Sequence, residues 1–236
     1  MSHVLPLVSV VIPTRGDTAL LAGLLDDLPP AAGVETIVSR TGSLAPAEAA
    51  LRASRPDVRW VDGPAGRGRQ LNTGAAAAQG QWLWFVHADC RLPAGWLDLF
   101  RQLDAAAPPV DGGSFAFRLD SPAWQARVLE RGVALRVRWL GLPYGDQGLF
   151  VRRAVFAAMG GFQPVPLMED VEFVRRLTRR GRVQHLSQQV TTSARRWERD
   201  GWWRRSCANL LTLAAYFAGI RPERLARRYD RGTADS

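Results

Sequence analysis

Apolar and amphipathic segments alternate along the first 90 residues of the chain. Four short apolar or β-branched runs, at residues 7–12, 34–38, 58–61 and 82–86, predict buried strands. The segments between them have helical spacing of apolar residues or are rich in alanine, so we expect helices after Asp17, at about residues 46–54 and after Gly66. This alternation predicts an α/β fold with a doubly wound, mainly parallel sheet.

Beyond residue 90 the alternation is weaker. Residues 97–103, 124–140 and 171–180 have the spacing of amphipathic helices, and residues 112–117 and 149–151 are short predicted strands. Glycines at the start of the run 112–117 permit close approach of a ligand or of another backbone. We find no internal repeat and no linker.

The run at residues 82–86 ends in polar side chains. His87 and Asp89 follow its last apolar residue closely. In open α/β sheets ligands bind beyond the carboxyl ends of the strands, where a carboxylate can hold a hard cation against a phosphate. The alternative is that Asp89 caps the helix that starts near Pro93. The strand end alone leaves both interpretations open.

Two further polar segments precede predicted helices. Gly66-Arg67-Gly68 matches neither a Walker loop nor a dinucleotide fingerprint, and it indicates a flexible basic turn before a helix N-terminus, which can bind phosphate. Glu169 and Asp170 precede the helix at residues 171–180. They either stabilise the positive end of that helix or hold a carboxylate near a reaction centre.

The charge of the chain favours anionic partners. All 31 basic residues are arginines, and the formal net charge is +9. Such an excess suits nucleotide phosphates, anionic lipids or nucleic acids. Cys90 and Cys207 offer no disulfide framework and no metal-ligand spacing, so we expect a reducing cytoplasm. Residues 1–6 lack the features of a signal peptide, and the apolar run at residues 207–220 is too short to span a bilayer.

Four segments occur in the order seen in a known enzyme family. They are the strand at residues 8–14, His87-Ala88-Asp89 at a strand end, Glu169-Asp170 before a helix, and Arg195-Arg196-Trp197. This order resembles the family-2 glycosyltransferases, which have the GT-A fold. The chain is most similar to short bacterial enzymes of that family associated with radical-SAM and selenium-related genes, through the motifs at residues 69–72, 144–148, 166–172 and 192–198. The resemblance implies a single GT-A domain with a Rossmann-like nucleotide-binding half.

The resemblance also implies catalytic and metal-binding roles. Asp89 stands where the family has the second aspartate of its D-x-D motif, which binds Mn²⁺ or Mg²⁺ on the donor diphosphate, and His87 replaces the first. Asp170 stands at the position of the general base, and Glu169 is the alternative base.

Two groups of binding residues follow from the same resemblance. Those expected at the donor are Pro13, Thr14, Arg15, Arg40, Arg69, Asn72, His87 and Asp89. Those expected at the acceptor are Gly113, Tyr144, Asp146, Gln147, Arg196 and Trp197, of which the last two match the end of a Q-x-x-R-W motif. Arg40 is a departure, because the family usually has an aspartate there that binds the nucleobase. An arginine cannot accept a hydrogen bond from a base N–H, but it can stack on the base or pair with phosphate.

The implied reaction is the inverting transfer of a sugar from a nucleoside-diphosphate sugar to an acceptor hydroxyl. The resemblance divides the chain into a donor half at residues 1–90, an acceptor half at residues 91–195 and a basic helical extension at residues 196–236. We expect a cytoplasmic protein, with lipid-linked acceptors at the inner face of the membrane as one class of substrate. Two other hypotheses are a sugar-nucleotide-binding protein without transferase activity and a nucleic-acid-binding protein, although no nucleic-acid-binding motif is visible.

Tryptophans, leucines and arginines are concentrated near the C-terminus. The apolar and aromatic residues are Trp202, Trp203, Leu210, Leu211, Leu213, Tyr216 and Phe217, and the arginines are Arg199, Arg204, Arg205, Arg221, Arg224, Arg227 and Arg228. This composition suits a helix that lies in a membrane interface. It also suits a helix that packs on the catalytic domain with a solvated basic face. The tail after Arg231 is expected to fray.

Overall fold

A computed structural model describes residues 5–227 of the 236-residue chain. The strands are β1 (Val8–Thr14), β2 (Val34–Arg40), β3 (Arg59–Asp62), β4 (Trp82–Phe85), β5 (Cys90–Arg91), β6 (Gly112–Leu119), β7 (Phe150–Arg152) and β8 (Val183–Thr192). The helices are α1 (Thr18–Asp26), α2 (Pro46–Ser54), α3 (Arg67–Ala77), α4 (Trp96–Asp104), α5 (Trp124–Leu140), α6 (Arg153–Ala158), α7 (Glu169–Arg180), α8 (Arg195–Asp200) and α9 (Trp202–Phe217). A 3₁₀ turn covers Gly145–Gln147, and residues 222–227 are also helical.

The strands form one sheet in the order β3-β2-β1-β4-β7-β6-β8-β5. β1 lies between β2 and β4, and β3 pairs with β2, all in parallel. β7 is antiparallel to β4 and β6, and β8 runs parallel to β6. The predicted α/β fold with a mainly parallel sheet is confirmed.

The sequence patterns did not predict β8. This strand is polar, and most of its residues are at least partly exposed, so it lacks a clear apolar run. Its backbone pairs with β6 along most of its length and with β5 at its end. This pairing brings Ser193 next to the end of β4, where its backbone N–H donates to the carbonyl of Asp89 at 3.1 Å.

The core lies on both faces of the sheet. Trp82 and Trp84 of β4 pack on the face covered by α1 and α4, and the Trp84 ring is 5.3 Å from that of Phe100. Leu83 and Phe85 pack on the opposite face, against α3 and α7. Burial on both faces explains why β4 is an unbroken apolar run.

Some predicted features fall outside the described residues. Arg228 and the tail after Arg231 lie there, as do residues 1–4. Within residues 5–227, no helix combines the length and the apolar character needed to cross a bilayer.

Candidate functional site

Two neighbouring cavities open beyond the carboxyl ends of β1 and β4. The strand-end cavity, of about 280 Å³, is lined by Pro13, Thr14, Arg15, Asp17, Leu20, Arg67, Gln70, His87, Ala88, Asp89, Arg195 and Arg196. The carboxylate cavity, of about 360 Å³, is lined by Arg67, His87, Asp89, Tyr144, Asp146, Pro166, Leu167, Met168, Glu169, Asp170, Thr192, Ser193, Arg196, Trp197, Arg205, Asn209 and Thr212. Because four of these residues line both cavities, the two form one continuous crevice.

The strand-end cavity is held together by side chains that tie helices to strand ends. The buried amide of Gln70, in α3, donates to the carbonyls of Thr14 at 2.7 Å and Ser39 at 3.1 Å. Asp17 precedes α1 as predicted, but its side chain does not cap that helix and pairs with Arg195 instead. The cavity is therefore bounded by the ends of two parallel strands and by arginines from distant segments.

His87 and Asp89 lie where the two cavities meet. Nε2 of His87 is buried and has no hydrogen-bond partner among residues 5–227. Burial, aided by the charge of Arg67, lowers the pKa of His87 to about 4, so its imidazole is neutral near pH 7. The side chain of Asp89 is 12% exposed, and its ion-pair contact, Nη2 of Arg196, is 4.0 Å away.

A carboxylate and a neutral imidazole can both ligate a divalent cation. Mg²⁺ sites at phosphates use one or two protein carboxylates, and water and phosphate oxygens supply the other ligands. Within the described part of the chain, no group of three or more histidines, cysteines and acidic residues could hold an ion alone. Asp89 and His87 therefore fit a cation shared with a bound diphosphate. The alternative that Asp89 caps α4 is wrong, because the N-cap of α4 is Gly95.

The first turn of α7 brings two buried carboxylates into the carboxylate cavity. Glu169 is 1% exposed and pairs with Nε of Arg67, and Asp170 is 7% exposed. Oδ2 of Asp170 accepts a hydrogen bond of 2.7 Å from the Gly145 N–H and lies 3.7 Å from Nη2 of Arg67. Burial opposes the charged form of Arg67, but the two carboxylates outweigh it and raise the pKa of Arg67. Arg67 is therefore a permanent positive charge beside both carboxylates.

Two backbone positions at the site are unusual, one for its close packing and the other for its dihedral angle. A Cβ at Gly145 would lie 3.1 Å from Nε2 of His87 and 3.2 Å from Oδ2 of Asp170. Met168, immediately before α7, has a φ of 65°, which is uncommon for a residue with a side chain. Such outliers occur often at functional sites. Gly145 thus allows its N–H to approach Asp170 beside the histidine.

Asp146 and Tyr144 line the same cavity. Burial raises the pKa of Asp146 to about 6; Asp170 adds to this shift, whereas Arg136 and Arg67 oppose it. The guanidinium of Arg136 lies 3.5 Å from the centre of the Tyr144 ring, a cation–π contact that orients the ring. Burial therefore favours the protonated form of the Asp146 carboxyl group.

The structure brings most of the predicted site residues together. Those that line a cavity are Pro13, Thr14, Arg15, His87, Asp89, Tyr144, Asp146, Glu169, Asp170, Arg196 and Trp197. Those that line neither cavity are Arg40, Arg69, Asn72, Gly113 and Gln147.

Three residues of the second group make contacts within the protein. The side-chain amide of Asn72 exchanges hydrogen bonds of 2.8 and 2.9 Å with the backbone of Phe162. The buried Gln147 accepts a bond from the Tyr144 N–H at 3.0 Å. A Cβ at Gly113 would lie 1.8 Å from a carbonyl oxygen of β8, so its glycine serves the pairing of β6 with β8. These residues support the loops of the crevice without facing it.

Arg40 is enclosed at the end of β2. Its Nε donates to Glu48 at 2.9 Å, its Nη2 donates to the Gly42 carbonyl at 2.9 Å, and its Nη1 pairs with Asp62. The hydrogen bond to Glu48 helps to raise the pKa of Arg40. Glu48 is only 4% exposed. The guanidinium thus neutralises a buried carboxylate, and its predicted contact with the nucleobase stays a prediction.

We expect Arg40→Met to lower the free energy of unfolding by about 3 kcal/mol, because it leaves the buried carboxylate of Glu48 without a partner. The double variant Arg40→Met/Glu48→Met should regain most of that loss, since no unpaired buried charge remains. Chemical denaturation measures both. Arg101→Met is the control, because its ion pair with Asp98 is exposed and contributes little. A double variant no more stable than Arg40→Met would contradict this role.

Several residues of the crevice lie outside the family motifs, although the basic turn Gly66-Arg67-Gly68 indicated a phosphate site. Arg67 lines both cavities, whereas the predicted Arg69 lines neither. Residues two positions apart point to nearly opposite sides of a helix, so only one of these two arginines can face the crevice. The carboxylate cavity also includes Arg205, Asn209 and Thr212 of α9. They lie one turn apart on the helix, a spacing that the sequence could have offered as a signal.

Comparisons with known proteins agree with this architecture. The sequence profile of the family described as Glycosyl transferase family 2 matches residues 9–158. No sequence among curated proteins matches the chain.

Solved structures with the same fold include two proteins. One is a mannosyltransferase from Pyrobaculum calidifontis in complex with GDP-Man and Mn²⁺, with a TM-score of 0.65 and 18% identity over 94% of this chain and 67% of that one. TarS residues 1–349 from S. aureus have a TM-score of 0.62 and 16% identity, covering 79% of this chain and 60% of that one. TarS in complex with UDP-GlcNAc has the same score and identity, and 58% of it is covered. This chain therefore spans only about three fifths of TarS residues 1–349.

Proposed function

The chain belongs to glycosyl transferase family 2 and is a glycosyltransferase of the GT-A fold, and from this premise we propose that it transfers a sugar, with inversion, from a nucleoside-diphosphate sugar to an acceptor hydroxyl. The resemblance to family-2 glycosyltransferases is confirmed. One observation carries the finer proposal. The carboxylate cavity is lined by side chains from three distant segments, namely His87 and Asp89 after β4, Arg67 in α3 and Asp170 in α7.

The nucleoside diphosphate would occupy the strand-end cavity. Arg15, Arg195 and Arg196 line this cavity, and Arg67 lines it from the first residue of α3. Guanidinium groups and a helix N-terminus both favour phosphate oxygens. The solved structures that bind GDP-Man and UDP-GlcNAc support a nucleotide-sugar donor, without naming the base or the sugar for this chain.

Asp89 and His87 would hold Mn²⁺ or Mg²⁺ at the diphosphate. A bound divalent cation neutralises the negative charge that develops on the leaving diphosphate. Arg67 and Arg196 add fixed positive charge at the junction of the cavities. Mn²⁺ in the Pyrobaculum mannosyltransferase supports this proposal.

Asp170 would act as the general base. Its carboxylate takes the proton of the acceptor hydroxyl as that oxygen forms a bond to the anomeric carbon. The bond from the same carbon to the diphosphate oxygen breaks, and the nucleoside diphosphate leaves from the opposite side, which inverts the configuration. The Gly145 N–H and Arg67 hold Oδ2 of Asp170 in place. Glu169 is the weaker candidate base, because its carboxylate is paired with Nε of Arg67.

The acceptor would enter the carboxylate cavity, lined by Tyr144, Asp146, Trp197 and residues of α9. Aromatic side chains and carboxylates are suited to a polyhydroxylated substrate, because the rings pack on its apolar faces and the carboxylates accept its hydroxyl hydrogen bonds. Asp146 also offers a second carboxyl group near Asp170, so its role is tested together with that of the base.

A thermal-shift series tests the donor proposal. We expect one class of nucleoside-diphosphate sugars to raise the melting temperature, and Mn²⁺ to enlarge the effect. A ligand at about 100 times its Kd stabilises a protein by about 2.7 kcal/mol, which is about 5–10 °C for a chain of this size. Release of nucleoside diphosphate from the same donor measures activity.

The thermal shift and the release of nucleoside diphosphate together distinguish a glycosyltransferase from a protein that only binds sugar nucleotides. No shift with any donor at millimolar concentration would contradict nucleotide-sugar binding. A shift without donor hydrolysis or transfer to any hydroxyl acceptor would favour a sugar-nucleotide-binding protein without transferase activity.

A further inference from the structure

α9 leaves a stripe of apolar residues exposed, although surface helices normally turn such a stripe toward the core. Its exposed face carries Trp203, Cys207, Leu210, Leu211, Ala214 and Phe217, at spacings of three, four and one residues. Leu210 and Leu211 are 64% and 69% exposed. The opposite face contributes Arg205, Asn209 and Thr212 to the carboxylate cavity. One apolar stripe therefore points away from the protein, and the inward side carries these polar residues together with Leu213 and Tyr216, which pack on the core.

α5 exposes a similar stripe. Trp124, Val128, Leu135 and Trp139 follow one another at spacings of four and seven residues, so they lie on one side of the helix. All four are largely exposed, and Trp139 reaches 76%. Ala126 is the buried residue of this 17-residue helix. Packing on the sheet therefore does not explain why these positions carry large apolar side chains.

The two stripes meet. The rings of Trp124 in α5 and Trp203 in α9 lie 5.8 Å apart, and the two helices are in contact. We call the joint face the two-helix surface, and its members are Trp124, Val128, Leu135, Trp139, Trp203, Leu210, Leu211 and Phe217. Exposed apolar stripes joined at such a contact indicate an interaction site.

The charges around the two-helix surface are predominantly positive. Arg131 and Arg138 of α5 are exposed, and beyond α9 the exposed residues Arg221 and Arg224 flank one exposed acidic residue, Glu223. α9 contains no acidic residue, and the acidic residue of α5, Glu130, is paired with Arg127 at 2.8 Å. Apolar and aromatic side chains flanked by arginines complement an anionic lipid surface. In a two-fold dimer the same patch would meet itself, so the arginines of one copy would face the like charges of the other.

We propose that the two-helix surface docks on an anionic lipid bilayer, with Trp124, Trp139 and Trp203 and the leucines of α9 among the lipid headgroups and upper acyl chains. This proposal combines the two hypotheses for the C-terminal region, a helix that lies in a membrane interface and a helix that packs on the catalytic domain. α9 packs on the domain through Leu213 and Tyr216 and leaves its other face for the lipid. Arg205 is not part of the basic surface, because its side chain is 10% exposed and pairs with Asp200. Docking places the α9 wall of the carboxylate cavity next to the bilayer.

Co-sedimentation of the full chain with vesicles tests the proposal. The vesicles are phosphatidylcholine alone, or phosphatidylcholine with about one third phosphatidylglycerol. We expect the protein in the pellet only with the anionic vesicles at low salt. Raising salt from about 0.05 M to about 0.5 M should lower the bound fraction by about fivefold or more, because the arginines are screened. Absence from both pellets, or equal binding to both vesicles, would overturn the proposal.

Matched variants assign binding to the surface. Leu210→Gln/Leu211→Gln and Trp139→Gln should each weaken partition into anionic vesicles by about tenfold, because exposed apolar groups that enter the lipid are lost. Leu44→Gln, which replaces a leucine 46% exposed before α2, should bind like the parent. Arg131→Gln/Arg138→Gln should weaken binding, whereas Arg52→Gln on the exposed side of α2 should have a smaller effect.

Two outcomes would exclude this surface as a lipid site. One is parent-like binding by all the α5 and α9 variants, and the other is a dimer in sedimentation velocity that Leu210→Gln/Leu211→Gln dissociates. Vesicle binding needs no donor, and the nucleotide-sugar thermal shift needs no lipid. Failure of lipid docking and failure of the proposed transferase function are therefore distinguishable.

Discussion

Asp89→Asn is expected to abolish almost all transfer, by about 10³-fold or more, while the fold is retained. The substitution keeps the shape of the side chain and removes the charge that would hold the divalent cation at the diphosphate. A bound cation contributes several kcal/mol to the stabilisation of a leaving group, and each 1.36 kcal/mol is about tenfold in rate. Turnover measured across a series of Mn²⁺ and Mg²⁺ concentrations checks this expectation.

Controls separate the loss of metal from damage to the fold. Asp98→Asn removes an exposed carboxylate of α4 that lines neither cavity, so its turnover should equal that of the parent. In Asp89→Asn the thermal shift with a donor should lose its Mn²⁺-dependent part. If Asp89→Asn keeps parent-like turnover that still depends on metal, then Asp89 is not a ligand. His87→Ala should raise the Mn²⁺ concentration needed for half-maximal turnover, because Nε2 is the other available ligand atom.

Asp170→Asn is expected to lower turnover by about 10²-fold or more, the usual scale for removal of a general base. An amide cannot take the proton of the acceptor hydroxyl at neutral pH. Donor binding should persist, because the lost function concerns the acceptor. The measurements are the rate of nucleoside-diphosphate release with acceptor and the thermal shift with donor alone.

Neighbouring carboxyl groups provide the comparison for Asp170. Glu172 lies on the same helix, but its carboxylate binds Arg176 and the residue lines neither cavity. The Glu172→Gln variant should therefore retain activity. Glu169→Gln removes the partner of Arg67 and should reduce turnover less than Asp170→Asn. Asp146→Asn tests the other carboxyl group of the cavity. A larger loss of turnover in Glu169→Gln or Asp146→Asn than in Asp170→Asn would transfer the role of base to that residue.

Much of the architecture follows from local patterns. The predicted helix at residues 124–140 is α5, with the same bounds, and the four predicted strands of the first half are β1 to β4 with shifts of one or two residues. The apolar runs of β1, β2 and β4 are clear because most of their residues are buried in the sheet. Polar residues directly after buried strands indicated the position of the crevice, since parallel strands present their carboxyl ends at one edge of the sheet.

Other assignments depended on the direction of single side chains. Arg67 and Arg69 have equal chemistry and lie two residues apart, yet only Arg67 faces the crevice. Asn72 satisfies the backbone of Phe162, which is 90 residues away in the sequence. Arg40 was predicted near the nucleobase, but the structure places its guanidinium between Glu48 and Asp62. A motif specifies residue types, whereas the neighbours of a side chain are set by packing between distant segments.

The sequence by itself determined the alternation of strands and helices, the acidic and basic residues at the strand ends, and the family. Only the tertiary structure decided that β8, a polar strand, completes the sheet beside Asp89, and that α9 turns its polar face toward the carboxylate cavity. The physical reason is the same for both elements. An amphipathic pattern defines two faces of an element, but which face is buried depends on the long-range contacts available to it. At α9 those contacts are with a polar crevice and with the core around Leu213, so a second apolar stripe remains outside.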